Sequence, residues 1–267
     1  IESPSPIGEG GIHGMNLDWK RFVTDQTLDF MRNEIAPLKE VCPDIPVTSN
    51  YMGFYNGLNY WKMVDILDRV CWDNYPGWHN PHEKTWETAA DVAFVHDMNR
   101  SFKAGKPFLM MESTPSKVNW GDVNKVKRPG MHLLASMQAI AHGSDSVQYF
   151  QWRKGRGASE KFHGAVVDHY GREDTMEFQG VASVGKLLQK LSGVAGTTTS
   201  AQAAVLYDWE NRWAIDDFQG GHNHRDRGYV NTCRAHYRAL WKRGIPTDIV
   251  SEDSDFSGYK LLIAPML

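Results

Sequence analysis

Two features of the sequence predict an α/β protein with parallel strands: four short apolar runs alternate with five helix-like segments, and a second, shorter alternation begins after a stretch of small residues. Strands separated by helices run parallel because each crossover returns the chain to the same edge, and near-continuous apolar runs fit strands covered on both faces. Four such strands cannot close on themselves. They are half of an eight-stranded (β/α)8 barrel.

The elements follow in order. Over 16–40 the apolar residues Val23, Phe30, Met31 and Leu38 share one side of a 3.6-residue period, which predicts a helix with that face inward, stopped before Pro43. The β-branched run 45–50 predicts a strand, and 51–57 its aromatic exit loop. A helix over 59–68, a strand over 69–74 and a helix over 84–103 come next, the last with Trp86, Ala90, Ala93 and Phe94 on one face. A strand over 107–112, a helix over 128–142 and a strand over 146–151 repeat the unit. The helix over 175–191 carries Val181, Val184, Leu188 and Leu191 at helical steps. Residues 192–200 (SGVAGTTTS) have linker composition, which predicts a domain of 1–191, a linker of 192–200 and a second domain from 201 to 267. There, strands over 201–207, 246–250 and 260–264 flank a helix over 229–243 with Tyr229, Cys233, Tyr237 and Leu240 inward.

Composition limits the partners. The 267 residues are 41% hydrophobic and 23% charged, which excludes a disordered tail, and 29 basic against 32 acidic residues give a net charge of -3. Nothing concentrates positive charge, so neither nucleic acid nor a membrane surface is an expected partner. No apolar run reaches the ~18 residues of a membrane span, and no basic stretch followed by an apolar one opens the sequence, so a soluble, cytoplasmic protein is expected. Cys42, Cys71 and Cys233 fit neither a disulfide framework nor a zinc cluster and read as reduced, buried thiols. The sequence starts at Ile1 and stops inside the apolar run Leu261–Leu267, so a partial polypeptide is expected.

Chemistry in parallel barrels gathers at the carboxyl ends of the strands. Those ends read Thr48-Ser49-Asn50, Asp73-Asn74-Tyr75, Glu112-Ser113-Thr114 and Gln151-Trp152-Arg153. Glu112, directly after Phe108-Leu109-Met110-Met111, is either a nucleophile at a pocket mouth or an ordinary strand-end carboxylate paired with a cation. Trp72, Trp78, Trp120 and Trp152 near the same rim together suit a sugar pocket by offering flat surfaces to apolar C–H faces, although each taken singly reads more often as core than as ligand platform. Glu160 and His163, three apart in GRGASEKFHG, can converge on one ligand or can sit in a solvated loop. His222 and His224 in GGHNHRDRG look like a metal pair, but no Cys or carboxylate completes a set, so no metal and no cofactor are expected. The run GEGGIHG lacks the preceding strand that a phosphate loop needs.

The ordered set Leu17-Asp18-Trp19-Lys20-Arg21-Phe22, Pro46-Val47-Thr48-Ser49-Asn50-Tyr51-Met52-Gly53, Trp72-Asp73-Asn74-Tyr75-Pro76, Met111-Glu112-Ser113-Thr114-Pro115-Ser116 with Asn119-Trp120, and Phe150-Gln151-Trp152-Arg153 resembles the β-galactosidases of glycoside hydrolase family 42. The resemblance implies strands five to eight of a (β/α)8 TIM barrel, then the start of a flavodoxin-like α/β domain that builds a homotrimer. It implies retaining cleavage of terminal β-galactosides, with Glu112 as nucleophile and Tyr75 hydrogen-bonded to it. Trp120 would line the galactose subsite, and Glu160 and His163 would hold sugar hydroxyls. The family's acid/base is the Glu of an Asn-Glu pair at the end of strand four. No such pair stands at a strand end here, since Asn33-Glu34 falls within the first helix. Two rivals are a non-catalytic sugar-binding or assembly module, and an enzyme with Glu160 as replacement acid/base.

Overall fold

The computed structural model describes residues 13–104, 106–218 and 227–267. In chain order the elements are α1 His13–Val41, β1 Asn50–Tyr51, β2 Cys71–Asp73, α2 Thr85–Phe102, β3 Phe108–Glu112, α3 Met131–Ala141, β4 Ser144–Val147, α4 Met176–Lys190, β5 Ala203–Leu206, α5 Trp209–Asp217, α6 Tyr229–Trp241, β6 Thr247–Val250 and β7 Leu261–Ile263. They form two compact units. One runs from Cys71 to Thr199, and the other joins the residues up to Val70 with Ser200–Leu267.

In the Cys71–Thr199 unit, β2, β3 and β4 lie side by side and parallel, with Cys71 opposite Leu109, Asp73 opposite Glu112, and Met110 opposite Val147. Parallel register puts the carboxyl ends of β2 and β3 on one edge, as the right-handed crossover through α2 requires. Helix α2 is buried on more than one side. Ala90, Ala93, Phe94 and Met98 are fully covered, and so are the polar His96, Asp97, Asn99 and Arg100. Those polar groups are mostly satisfied within the layer. Trp72 Nε1 donates to His96 Nδ1 at 3.2 Å, and the His96 ring stacks on Phe108 at 5.5 Å. Asp97 accepts from Arg100 at 3.0 Å and from His142 at 2.7 Å, while Arg100 also donates to the Thr199 carbonyl at 3.0 Å.

The second unit has a parallel sheet in the order β6-β5-β7. All four residues of β5 are buried, and α6 lays Tyr229, Cys233, Tyr237 and Leu240 inward, the face its spacing predicts. Helix α5 grips the loop after β1 through three consecutive carbonyls. Arg212 donates to Phe54 O at 2.6 Å, Trp209 Nε1 to Tyr55 O at 2.8 Å, and Trp213 Nε1 to Asn56 O at 2.8 Å.

Several expectations need correction. Helix α1 buries Thr24 and Leu28 and leaves Phe30 and Leu38 exposed, because the Asn59 amide donates to the Thr24 hydroxyl and brings that side inward. The 45–50 run is strand only from Asn50, because Pro46 has no amide, the Val47 amide goes to the Asp68 carboxylate, and Thr48 Oγ1 bonds Arg69 O instead of entering a ladder. The segment expected as a helix over 59–68 is a 3-10 turn, Tyr60–Met63, capped by the Asn59 side chain. Strand β4 is Ser144–Val147 and not 146–151, so Gln151-Trp152-Arg153 follow it in a loop, with the Phe150–Gln151 peptide cis. Within 192–200, Ser192–Val194 make a 3-10 turn, and the Gly196 amide donates to Asp145 at 2.9 Å. Cys42 is exposed, and Trp72 and Trp78 are core residues, each 5% exposed. Helix α5 was not anticipated, although Asp208 caps it by accepting from the Glu210 amide, a signal present in the sequence. His222, His224 and most of GEGGIHG lie outside the described residues. No helix is long and apolar enough to cross a membrane, and no group of three metal-ligating side chains occurs among the described residues.

The buried histidines set a pH dependence. Burial, then the charge of Lys127, lowers the His132 pKa to about 4. Between the unfolded value of ~6.5 and 4 the unfolded chain therefore binds a proton that the folded chain does not, so stability falls as pH drops through that window, by on the order of 3 kcal/mol. Denaturation midpoints measured from pH 7 to 4 will fall less steeply in His132→Gln than in the native protein.

Candidate active site

The site assembles at the carboxyl edge of β2 and β3. At the end of β2, the Asn74 amide donates to the Glu112 carbonyl at 2.8 Å, which extends the pairing by one residue past a register shift between Trp72 and Asp73. That shift brings the next residue, Tyr75, over the end of β3. Its hydroxyl donates to Glu112 Oε2 at 2.6 Å, a short, charge-assisted bond. Burial, this bond and the nearby charges of Glu112, Asp73 and Glu160 push the Tyr75 phenol far above its ordinary pKa, so it stays a donor at all ordinary pH. Glu112 has no cation partner among the described residues. It is held by a neutral donor, and the ordinary strand-end ion pair is absent.

Two more of the anticipated residues surround Tyr75. Trp120, 62% exposed, presents its ring edge-on to Tyr75 at 5.8 Å. His163, 1% exposed, stands nearly perpendicular to the phenol at 5.7 Å and packs against Phe150 at 5.0 Å. Its Nδ1 donates to the Gly164 carbonyl at 3.0 Å, which fixes the ring and leaves Nε2 for a ligand. Glu160 is exposed in the preceding turn, where its carbonyl accepts from the His163 amide at 2.9 Å, and its charge is felt at Tyr75. Trp152 stands 67% exposed in the loop after β4.

Glycine at 164 is a packing requirement. A Cβ there would lie 2.5 Å from Thr114 Oγ1, 2.6 Å from Ser116 Oγ and 2.8 Å from Lys117 O. The Gly164 amide donates to that same Lys117 carbonyl at 2.8 Å. The loop carrying His163 is thus pressed against the turn that leaves β3, and Asn119 Nδ2 ties the two segments again at Ser159 O, 2.6 Å away. Sequence reasoning missed the buried Lys127, whose ammonium donates to the Thr114 carbonyl. A lysine between Val126 and Arg128 in a polar loop carries no local signal of burial.

A carboxylate, a fixed imidazole and an exposed indole around one half-buried phenol suit a ligand with hydroxyls and apolar C–H faces. Residues 1–191 match the family model described as Beta-galactosidase, and residues 201–267 match the Beta-galactosidase trimerisation domain. Beta-galactosidase BglY of Alicyclobacillus acidocaldarius is 58% identical over 267 residues, which are 100% of this chain and 38% of that protein. Beta-galactosidase GanA of Bacillus subtilis is 57% identical over 273 residues, 100% of this chain and 40% of that protein. A catalytic mutant of Gan42B, a GH42 beta-galactosidase from G. stearothermophilus, superposes with a TM-score of 0.95 at 57% identity, covering 100% of this chain and 40% of that one. The chain therefore spans well under half the length of these relatives, and within that span it belongs to glycoside hydrolase family 42, the β-galactosidase family.

Proposed function

We propose that this chain is part of a retaining β-galactosidase and that Glu112 is its nucleophile. On this reading 1–191 contribute strands five to eight of a (β/α)8 barrel, 192–200 join the domains, and 201–267 begin a flavodoxin-like domain that assembles a homotrimer. The observation that carries the reading is the 2.6 Å bond from Tyr75 to Glu112, flanked by Trp120 and His163. A carboxylate held by one neutral hydroxyl keeps its second oxygen for attack on an anomeric carbon, whereas an ion pair would tie up its charge.

Glu112 attacks the anomeric carbon of a terminal β-galactoside while a second carboxyl protonates the departing oxygen. The resulting glycosyl ester is then opened by water. Trp120 stacks on the sugar, and Glu160 and His163 bind its hydroxyls. The second carboxyl of such a pair sits ~5 to 5.5 Å from the nucleophile, and we assign it to barrel strand four, beyond the strands of this chain. A cytoplasmic location fits the three free cysteines.

Three outcomes test the assignment. In the complete polypeptide carrying this chain, Glu112→Gln abolishes galactoside hydrolysis without altering the circular dichroism spectrum, and a 2-deoxy-2-fluorogalactosyl dinitrophenolate labels the native peptide at Glu112. Near-normal turnover by Glu112→Gln would refute the role and favour a binding module. Tyr75→Phe lowers kcat about 10- to 100-fold, the worth of one hydrogen bond to a charged group. The 267-residue chain alone hydrolyses nitrophenyl galactoside poorly, since general acid assistance worth ~10² to 10⁴-fold is missing; robust turnover would instead promote Glu160 to acid/base.

A further inference from the structure

Lys127 is nine-tenths buried, and among the described residues no carboxylate pairs with it. Its ammonium donates to the carbonyl of Thr114, two residues beyond Glu112, and its own amide donates to Ser116 O at 3.1 Å. An ammonium taken out of water without a counter-ion is costly, and a Met of similar volume would fill the same space without that cost. What the amine adds is a charge-assisted donor aimed at the turn that leaves β3. The neighbouring bonds show how tightly that turn is specified. Ser113 O accepts from the Phe150 amide at 3.0 Å, Ser113 Oγ donates to Gln148 O at 2.9 Å, Thr114 Oγ1 donates to Lys117 O at 3.1 Å, and Gly164 closes against all of it. The Thr114 carbonyl is the point of this turn that takes its donor from a side chain outside it.

We propose that Lys127 is a positioning residue for the nucleophile: by holding the Thr114 carbonyl it fixes the exit of β3, and with it the direction in which Glu112 presents its carboxylate. The proposal rests on the reading of Glu112 as nucleophile. It requires no contact between Lys127 and the sugar. Desolvation lowers the Lys127 pKa to about 8, so its charge is lost at mildly alkaline pH, where the bond to Thr114 drops from a charge-assisted to a neutral one. The titratable group that feels the charge of the amine is His132 of α3, whose pKa that charge lowers, and His132 Nε2 in turn lies 3.3 Å from the Tyr149 hydroxyl. Neither supplies a counter-charge to Lys127 within ion-pair distance.

The experiment compares native, Lys127→Met and Lys127→Arg forms of the complete polypeptide. Lys127→Met should lose about 10- to 100-fold in kcat with KM within about twofold, as for a misaimed reacting group, and Lys127→Arg should recover part of the loss. The native alkaline limb of kcat near pH 8 should vanish in Lys127→Met. That variant should also melt higher than native below pH 8, because the folded state there carries a desolvated charge that the unfolded state hydrates freely. A packing role alone would lower the melting temperature and leave the alkaline limb in place, and that result overturns the proposal. Should Lys127→Met fail to fold, the native protein decides: the Lys127 ε-15N resonance and the alkaline limb of kcat must titrate together, and separate titrations overturn it. Fluorosugar labelling separates the two readings. Label on Glu112 at an undiminished rate in Lys127→Met sinks the role of Lys127 alone, whereas no label on Glu112 in the native protein removes the nucleophile and the proposal with it.

Discussion

Glu112 is held at both ends, and the arrangement of the site follows from that double hold. Its backbone carbonyl is the last acceptor that β3 offers to β2, taken by the Asn74 amide, and its carboxylate is the acceptor for the very next residue, Tyr75. Main chain and side chain of one residue are thereby fixed by two successive residues of the neighbouring strand. Once the phenol is anchored, Trp120 and His163 pack nearly perpendicular to its ring from separate loops. A small register shift between two parallel strands thus sets where an indole and an imidazole can stand.

The interior behind this edge is unusually polar. His96, Asp97, Arg100 and Lys127 are all buried in the same unit, and Arg100 and Asp97 form a hydrogen-bonded pair with side chains 4% and 7% exposed. Such groups add little net stability compared with well-packed apolar ones. They do fix direction. Arg100 bridges α2 to the Thr199 carbonyl, and Asp97 joins α2 to His142 after α3, so the helices behind the sheet are located by bonds with angular demands as well as by close packing.

The parts of the fold that were legible in the sequence are those where one periodicity acts alone. Helices α4 and α6 have clear 3.6-residue apolar faces, and β3 is a run of apolar residues ended by a carboxylate. Glu112 and Tyr75 stand at the ends of parallel strands, where chemistry gathers, whereas the roles of Tyr75, Trp120 and His163 came from the family resemblance; the structure brings those four together. The errors arose where side chains take over the work of the backbone. Pro46 has no amide and the Val47 amide bonds the Asp68 side chain, so a β-branched run that looks like a strand is strand only from Asn50. Thr24 was passed over as polar, yet its hydroxyl carries an inward bond, and this rotates α1 away from the face that Phe30 and Leu38 suggested. Trp72 and Trp78 fell into the core because a tryptophan's volume is satisfied equally by a sugar or by a neighbouring helix, and the letter alone does not distinguish them.

The grip of α5 on the loop after β1 has a consequence for how that loop can change. The three bonds that Trp209, Arg212 and Trp213 make to this loop all end on main-chain oxygens, and all twenty residue types, proline included, carry one. The path of the backbone over 54–56 is therefore set by residues elsewhere in the chain, while the identities at 55 and 56 are nearly unconstrained by those bonds; Phe54 is less free, since its ring packs on Tyr207. Course and content are encoded separately. Positions 55 and 56 can exchange side chains without losing these bonds, and positions with that property can acquire new contacts one substitution at a time.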